Sequence, residues 1–270
     1  MSIVRLTATT FAASVTLSAA IAAAQETGRP GFTDTPMLPG GEWHVHDPAR
    51  PYPERIMPGS TDAAPPSDAK VLFDGSGLGS WEMLDGGPID WQIDEGVLTV
   101  TPSAERKGFH ALRTREGFGD IQLHVEYRTP VGATGEGQKR GNSGIYVMCL
   151  YEVQILDSHA VDTYADGQAG AIYGQYPPLV QASRPAGAWQ SFDIVFEAPR
   201  REEDGVLLEP AYMTVLHNGV LVQNRRALLG PTVWRQLATY DEPHADRLPL
   251  CLQDHDDPVQ FRNVWLREID

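Results

Sequence analysis

The chain has 270 residues, two cysteines and a formal charge of −15 at neutral pH. That length suits one large all-β domain or two small ones and can bury an adequate core without cross-links. The acidic balance and the lack of any Lys/Arg run exclude nucleic acid and anionic membrane as expected partners, and two cysteines are too few for a disulfide scaffold.

Met1 to Arg5 is a short basic start, Leu6 to Ile21 an apolar and small-residue run, and Ala22 to Ala24 before Gln25 fit an A-x-A cleavage site. Residues 1–24 therefore read as a secretory signal, so the mature chain is expected in the periplasm or secreted. No other stretch could span a membrane. Residues 25–67 hold many Pro and Gly without sustained periodicity and read as an irregular N-terminal arm. Within the arm, Trp43-His44-Val45-His46-Asp47 has the residue types of a transition-metal site, but the simpler reading is that its aromatic and Val side chains fasten the arm.

From residue 68 to 270 the pattern is repeatedly β. Val71–Phe73 precedes a turn at Asp74-Gly75-Ser76-Gly77, and Trp91–Ile93 meets Val97–Val100 across Asp94-Glu95-Gly96. Further strands are expected over Ile121–Arg128, Gly144–Leu156, Gln190–Glu197, Tyr212–His217, Val220–Gln223, Leu248–Leu252 and Val259–Ile269. Asn218-Gly219 is a strong hairpin turn, and Arg200 to Glu209 reads as an acidic loop. Long helical stripes are absent, so the pattern predicts a β-sandwich or jelly roll. Cys149 and Cys251 each sit in an apolar, strand-like run, where buried free thiols are the expected state. A bond between them would close a loop of about 100 residues.

Polar groups interrupt the strand pattern most clearly between Gly141 and Val180. Residues two apart share a strand face, so Glu152 and Gln154 project together while Val153 and Ile155 point the other way. Asp157 lies an odd step from Glu152 and joins it only if the strand bulges or ends. Asn142, Tyr164, Asp166, Gln168, Tyr173 and Gln175 add polar groups nearby, and Gln253-Asp254-His255 with Arg262 adds a later set. A retaining glycosidase needs two carboxyl groups about 5–5.5 Å apart. Glu152-Val-Gln154-Ile-Leu-Asp157 resembles the E-x-D-x-x-E strand of laminarinase-like sandwich hydrolases, with Gln in the middle and the shorter Asp at the end.

A closer resemblance covers nearly the whole mature chain. It is carried by Leu72-Phe73-Asp74-Gly75, Gly79-Ser80-Trp81, Gly141-Asn142-Ser143-Gly144-Ile145-Tyr146, Tyr151 to Asp157 and Gly170-Ala171-Ile172-Tyr173-Gly174. Trp189-Gln190, Gly230-Pro231-Thr232, Leu252-Gln253-Asp254-His255 and Phe261-Arg262-Asn263-Val264-Trp265 continue it. In these blocks the chain resembles the 3-keto-disaccharide hydrolase family. The resemblance implies a concanavalin-like jelly roll that receives a sugar already oxidised to a ketone at C3. Such a ketone acidifies the C2 hydrogen, so a base can remove it, an electrophile can stabilise the enediolate and the C1 substituent can leave; water addition completes a net hydrolysis.

On this reading Glu152 is the expected base or metal ligand, and Asp157 and His255 are candidates for the second proton-transfer group. Arg262 would face the enolate oxygen, and Asn142, Gln154, Tyr173, Gln253 and Asp254 would bind the substrate. A divalent ion (Ca²⁺, Mg²⁺, Mn²⁺ or Zn²⁺) could replace or assist Arg262. A non-catalytic carbohydrate-binding module, stacking Trp43, Trp81, Trp91 or Tyr173 on sugar, and a classical glycoside hydrolase are the alternatives.

Overall fold

The structure, a computed structural model, describes residues 28–102, 108–159 and 161–269. Residues 1–24, read in the sequence as a secretory signal, lie outside the described residues. The chain divides between Arg55 and Ile56 into two compact units. In the first, Met37 and His44 form an isolated antiparallel bridge, and the Asp47 carboxylate accepts from the backbone N–H of His44 at 3.1 Å and of Ala49 at 2.8 Å. The His-x-His-Asp stretch is thus a turn closed on its own carboxylate.

The second unit carries β1 (Lys70–Phe73), β2 (Trp81–Met83), β3 (Gln92–Asp94), β4 (Val97–Thr99), β5 (His110–Phe118), β6 (Ile121–Arg128), β7 (Ser143–Val147) and β8 (Tyr151–Ile155). It continues with β9 (Gln190–Glu197), β10 (Arg200–Arg201), β11 (Leu207–Glu209), β12 (Tyr212–His217), β13 (Val220–Ala227), β14 (Leu248–Asp254) and β15 (Gln260–Glu268). One eight-stranded sheet runs β13-β12-β9-β6-β15-β4-β3, with β1 also paired to β15. The other has five strands, β2-β5-β14-β7-β8. Every pairing is antiparallel.

Alternation builds the sandwich. In β9, Phe192, Ile194 and Phe196 are buried while the residues between them are half-exposed, the period-2 pattern of a sheet with one face in the core. Leu123, Val125 and Tyr127 of β6 are buried at the same spacing, with His124 between them buried as well. They meet Ile145, Val147, Val153, Ile155, Leu250 and Leu252 of the five-stranded sheet in one continuous hydrophobic core. The molecule is the jelly-roll sandwich that the strand spacing predicts. Before β1, the carbonyl of Ala63 accepts from Asn263 Nδ2 at 2.7 Å and Trp265 Nε1 at 2.9 Å, which fastens this irregular stretch to β15.

Three local expectations change. The single strand expected over Gly144–Leu156 is a hairpin, because Met148 (φ 57°) and Cys149 (φ 52°) turn through the left-handed region that tight hairpin loops require. The acidic stretch from Arg200 to Glu209 forms the two-stranded ribbon β10-β11. Cys149 and Cys251 are joined in a disulfide across 102 residues, since the hairpin turn folds back over β14.

Candidate active site

Strand alternation that sends Ile145, Val153 and Leu252 into the core sends Gly144, Tyr146, Glu152, Gln154, Cys251 and Gln253 to the opposite face. Register makes Tyr146 the direct partner of Glu152 and Gly144 that of Gln154, while Cys251 on β14 pairs with Tyr146. The Tyr146 hydroxyl donates to Glu152 Oε2 at 2.7 Å. Gln253 Nε2 approaches the same hydroxyl at 3.4 Å, while Gln253 Oε1 is buried with no partner. Gly144 provides the space for this arrangement. A Cβ there would lie 2.4 Å from Glu152 Oε1 and 2.8 Å from Tyr146 Cε2, so only glycine lets the carboxylate lie across the strand.

Above this face opens a cavity of about 790 Å³, within the range of small-molecule sites. Glu152, Gln154, Tyr146 and Gln253 contribute to its lining; Gln138, Lys139 and Asn142 come from the segment leading into β7. Tyr164 and Tyr173 line it too. Gly170 to Tyr173 extends the sheet beyond β8, through Gly170 N–H to Gln154 O (2.9 Å), Gln154 N–H to Ala171 O (3.0 Å) and Tyr173 N–H to Glu152 O (3.2 Å). The Tyr164 and Tyr173 hydroxyls are 2.6 Å apart. Thr232 joins a further loop to the site: its Oγ1 accepts from Glu152 N–H at 3.0 Å and its N–H donates to Leu150 O at 2.7 Å. Phe109, Cys149, Leu150, Trp234 and His255 also belong to the lining.

Burial pushes the Glu152 carboxyl up to about 8, against the opposing effect of the Tyr146 hydrogen bond. Glu152 thereby keeps its proton at neutral pH while remaining within reach of losing it. Burial, and then the neighbouring Glu152 charge, raises the Tyr146 phenol. Burial and the Tyr164 hydrogen bond raise Tyr173, with Glu152 adding to the effect. Both tyrosines therefore carry their protons. Among the described residues, Glu152 is the one carboxylate and His255 the one imidazole of the lining, and no cluster of three His, Cys, Asp or Glu side chains could hold a metal ion. This donor set does not fit a divalent ion.

Of the residues singled out in the sequence, Glu152, Asn142, Gln154, Tyr173, Gln253 and His255 line the cavity, His255 as an exposed side chain. Asp157, Asp254 and Arg262 do not. Asp157 lies beyond the end of β8, buried, with Oδ2 accepting from Arg140 Nε at 2.8 Å. Asp254 follows the core-facing parity of Leu252 and accepts from Asp256 N–H at 3.2 Å. Arg262 is on β15, in the other sheet, where it donates to Glu126 Oε2 at 2.6 Å and lies over the Trp189 ring at 4.1 Å. Trp81 and Trp91 are core residues, Trp81 donating to Leu72 O at 2.8 Å, and cannot stack on a sugar.

Tyr146 and Thr232, quoted in the sequence only within the blocks that carry the family resemblance, are neighbours of Glu152 that were not singled out as site residues. Tyr146 was detectable. Closing a hairpin inside Gly144–Leu156 puts it on the Glu152 face, but the left-handed turn at Met148 and Cys149 has no Gly or Asn to announce it. Thr232 comes from a distant loop, and only the Gly230-Pro231-Thr232 block of the resemblance pointed to it.

The family model of the 3-keto-alpha-glucoside-1,2-lyase-like domain matches residues 68–267. Among solved structures, a Parabacteroides distasonis protein provisionally named a glycosyl hydrolase, determined at 2.13 Å, is 39% identical with a TM-score of 0.75 over 87% of this chain and 100% of its own. A second protein of that organism and provisional name, at 1.70 Å, is 20% identical with a TM-score of 0.54, over 75% of this chain and 94% of its own, and shares the fold. No curated protein matches the chain. The match from residue 68 to 267 takes in both sheets and the whole cavity, and the chain belongs to the 3-keto-alpha-glucoside-1,2-lyase-like family.

Proposed function

We propose that the cavity binds a 3-keto-glycoside and cleaves its glycosidic bond by abstraction of the C2 proton, with Glu152 as the base. The observation that carries this reading is the buried Glu152 carboxyl, hydrogen-bonded to Tyr146 and raised to about 8 on the floor of a cavity of small-molecule size. A general base works best with a pKa near the working pH. An enolisable ketone requires one such base, whereas a retaining glycosidase requires two facing carboxyl groups. Gln154 occupies the matching position on the same strand, and Asp157 is bound to Arg140. Gln253, with an unpartnered buried Oε1, and Asn142 suit sugar hydroxyls. Lys139 brings a positive charge and His255 a ring N–H to the described lining, and the C3 enolate oxygen would find its partner among these donors.

The same reading includes export. A leader at residues 1–24 and a disulfide between the chain's two cysteines both suit an oxidising compartment such as the periplasm or the exterior, where a small carbohydrate is the expected partner.

The test is product analysis of the purified mature protein with 3-keto-trehalose and with trehalose, each with and without EDTA. Cleavage of the keto sugar alone, unaffected by EDTA and abolished in a folded Glu152→Gln variant, is expected. Cleavage of plain trehalose would point to a glycosidase, and glycan binding without any product to a binding module. Near-normal turnover in Glu152→Gln would remove Glu152 as base.

A further inference from the structure

Elimination from a 3-keto-glycoside moves two protons. One leaves C2, and the other must reach the glycosidic oxygen as its bond to C1 breaks, because an alkoxide is a poor leaving group. On the proposed reading Glu152 takes the first. The second group must line the cavity, carry a proton at neutral pH, stand close to Glu152 and have that proton uncommitted.

Most candidates fail one of these conditions. Asp157 is bound to Arg140 outside the lining, and Arg262 belongs to the other sheet. Tyr146 commits its proton to Glu152 itself. Lys139 and His255 lie off the strands beside Glu152, on exposed segments, and fail the third. Tyr173 meets the first three, and its proton is shared only with a hydroxyl that can itself donate. Its backbone N–H donates to Glu152 O at 3.2 Å, which sets it beside Glu152 on the extended sheet edge, and both side chains line the cavity. Residues opposite one another on neighbouring strands have Cβ atoms about 4.5–5.5 Å apart, close enough for both to reach one sugar ring.

The Tyr164 hydroxyl is held 2.6 Å from that of Tyr173. Tyr164 is itself fixed, because its ring packs onto the backbone of Gly167, where a Cβ would lie 2.2 Å from Tyr164 Cε2; the Gly167 carbonyl accepts from Gln138 Nε2 at 2.8 Å. Either hydroxyl can donate across this contact; Tyr173 donates in the resting arrangement that raises its phenol, and once a ligand oxygen accepts the Tyr173 proton the Tyr164 hydroxyl turns to donate. The same contact then stabilises the phenolate left after transfer, as an oxyanion-hole donor would.

We propose that Tyr173 is the catalytic acid–base group at the glycosidic oxygen and that Tyr164 is the residue that positions it. This assignment rests on the 3-keto-glycoside reading. In the first half-reaction the Glu152 carboxylate removes the C2 proton, the electron pair moves toward the C3 carbonyl and returns to form the C1–C2 double bond, and the C1–O pair stays with oxygen. That oxygen takes the Tyr173 proton and departs as the alcohol. In the second half-reaction water adds to C1 and gives its proton to the Tyr173 phenolate, while C2 recovers its proton from Glu152. The sum is 3-keto-glycoside plus water to 3-keto sugar plus alcohol, and both side chains end as they began.

The test compares wild type, Tyr173→Phe and Tyr164→Phe on methyl 3-keto-glucoside and on 4-nitrophenyl 3-keto-glucoside, with exchange of the C2 hydrogen in D₂O followed by NMR. Loss of a general acid costs about 10²- to 10⁴-fold. Tyr173→Phe should lose this factor in kcat on the methyl glycoside, lose little on the nitrophenyl glycoside, whose leaving group needs no proton, and still exchange the C2 hydrogen. Continued exchange also shows that the variant is folded and that Glu152 works. Tyr164→Phe should show a smaller loss in kcat with the same dependence on leaving group and an unchanged KM.

Equal losses on both glycosides, or loss of exchange together with cleavage in Tyr173→Phe, would overturn the assignment. A wild-type protein that neither cleaves nor exchanges either keto-glycoside would overturn the reading beneath it. A wild type that does both, with Tyr173→Phe equal to it, would overturn the role of Tyr173 alone.

Discussion

Glu152 meets two opposing influences. Burial favours its neutral form, and the Tyr146 hydroxyl favours the carboxylate. As a base it acts only when ionised, so kcat/KM on a 3-keto-glycoside should rise with pH along a single limb centred near 8. Hydrogen bonds to charged groups contribute about 1.5–3 kcal/mol, so Tyr146→Phe should move that limb upward by about one to two pH units. Rate profiles of the two proteins between pH 5 and 10 check this, and a limb that stays in place after the substitution would contradict it. The sequence disclosed Glu152 and Gln154 because strand parity is a local property. It misjudged Arg262 because Phe261-Arg262-Asn263 reads as site-like in one dimension, while the pairing of β15 with β6 delivers the guanidinium to Glu126 on the other sheet.

The β7–β8 hairpin determines the shape of the cavity wall. Its turn holds Leu150, whose carbonyl receives the Thr232 N–H, and Cys149, whose sulfur is bonded to Cys251 on β14. In the chain-entropy model a link closing a loop of about 100 residues contributes about 4.7 kcal/mol. Replacing both cysteines by serine should lower the unfolding free energy in urea by up to about that amount; a variant as stable as wild type would show that the link adds no stability. Among the strands, β6, β9 and β12 run between the residues that periodicity gives, because in each the apolar core residues recur at every second position. The reading missed β5 for a reason visible in its residues. Arg113 and Arg115 project outward to a shared partner, Glu82 on β2, at 2.8 Å each, and so many charges in nine residues hide the strand. The disulfide was equally hard to foresee, since it depends on which strands become neighbours.

Two buried titratable groups shape the stability of the whole sandwich in opposite directions. His217 sits in the core of the eight-stranded sheet, with Nε2 3.0 Å from both Tyr127 Oη and Gln190 Oε1. Burial, with the nearby Arg184 charge, lowers its pKa from 6.5 to about 4. The unfolded chain therefore binds the extra proton between those values, and stability falls as pH drops from about 6.5 to 4. Glu152, raised from 4.5 to about 8, has the reverse sign. The folded state holds the extra proton, so stability falls as pH rises from about 4.5 to 8. Between about 4.5 and 6.5 the two slopes cancel, and above that Glu152 leaves an unbalanced proton worth about 1.4 kcal/mol per pH unit. Wild-type Tm should thus be flat near pH 5–6 and decline toward pH 8, and the alkaline decline should vanish in Glu152→Gln, where no carboxyl must ionise in the core. Thermal unfolding of both proteins from pH 4 to 9 decides the matter. A wild-type Tm that keeps rising to pH 8 would mean that Glu152 is charged in the resting protein, and its readiness to act as a base would then need a different physical origin.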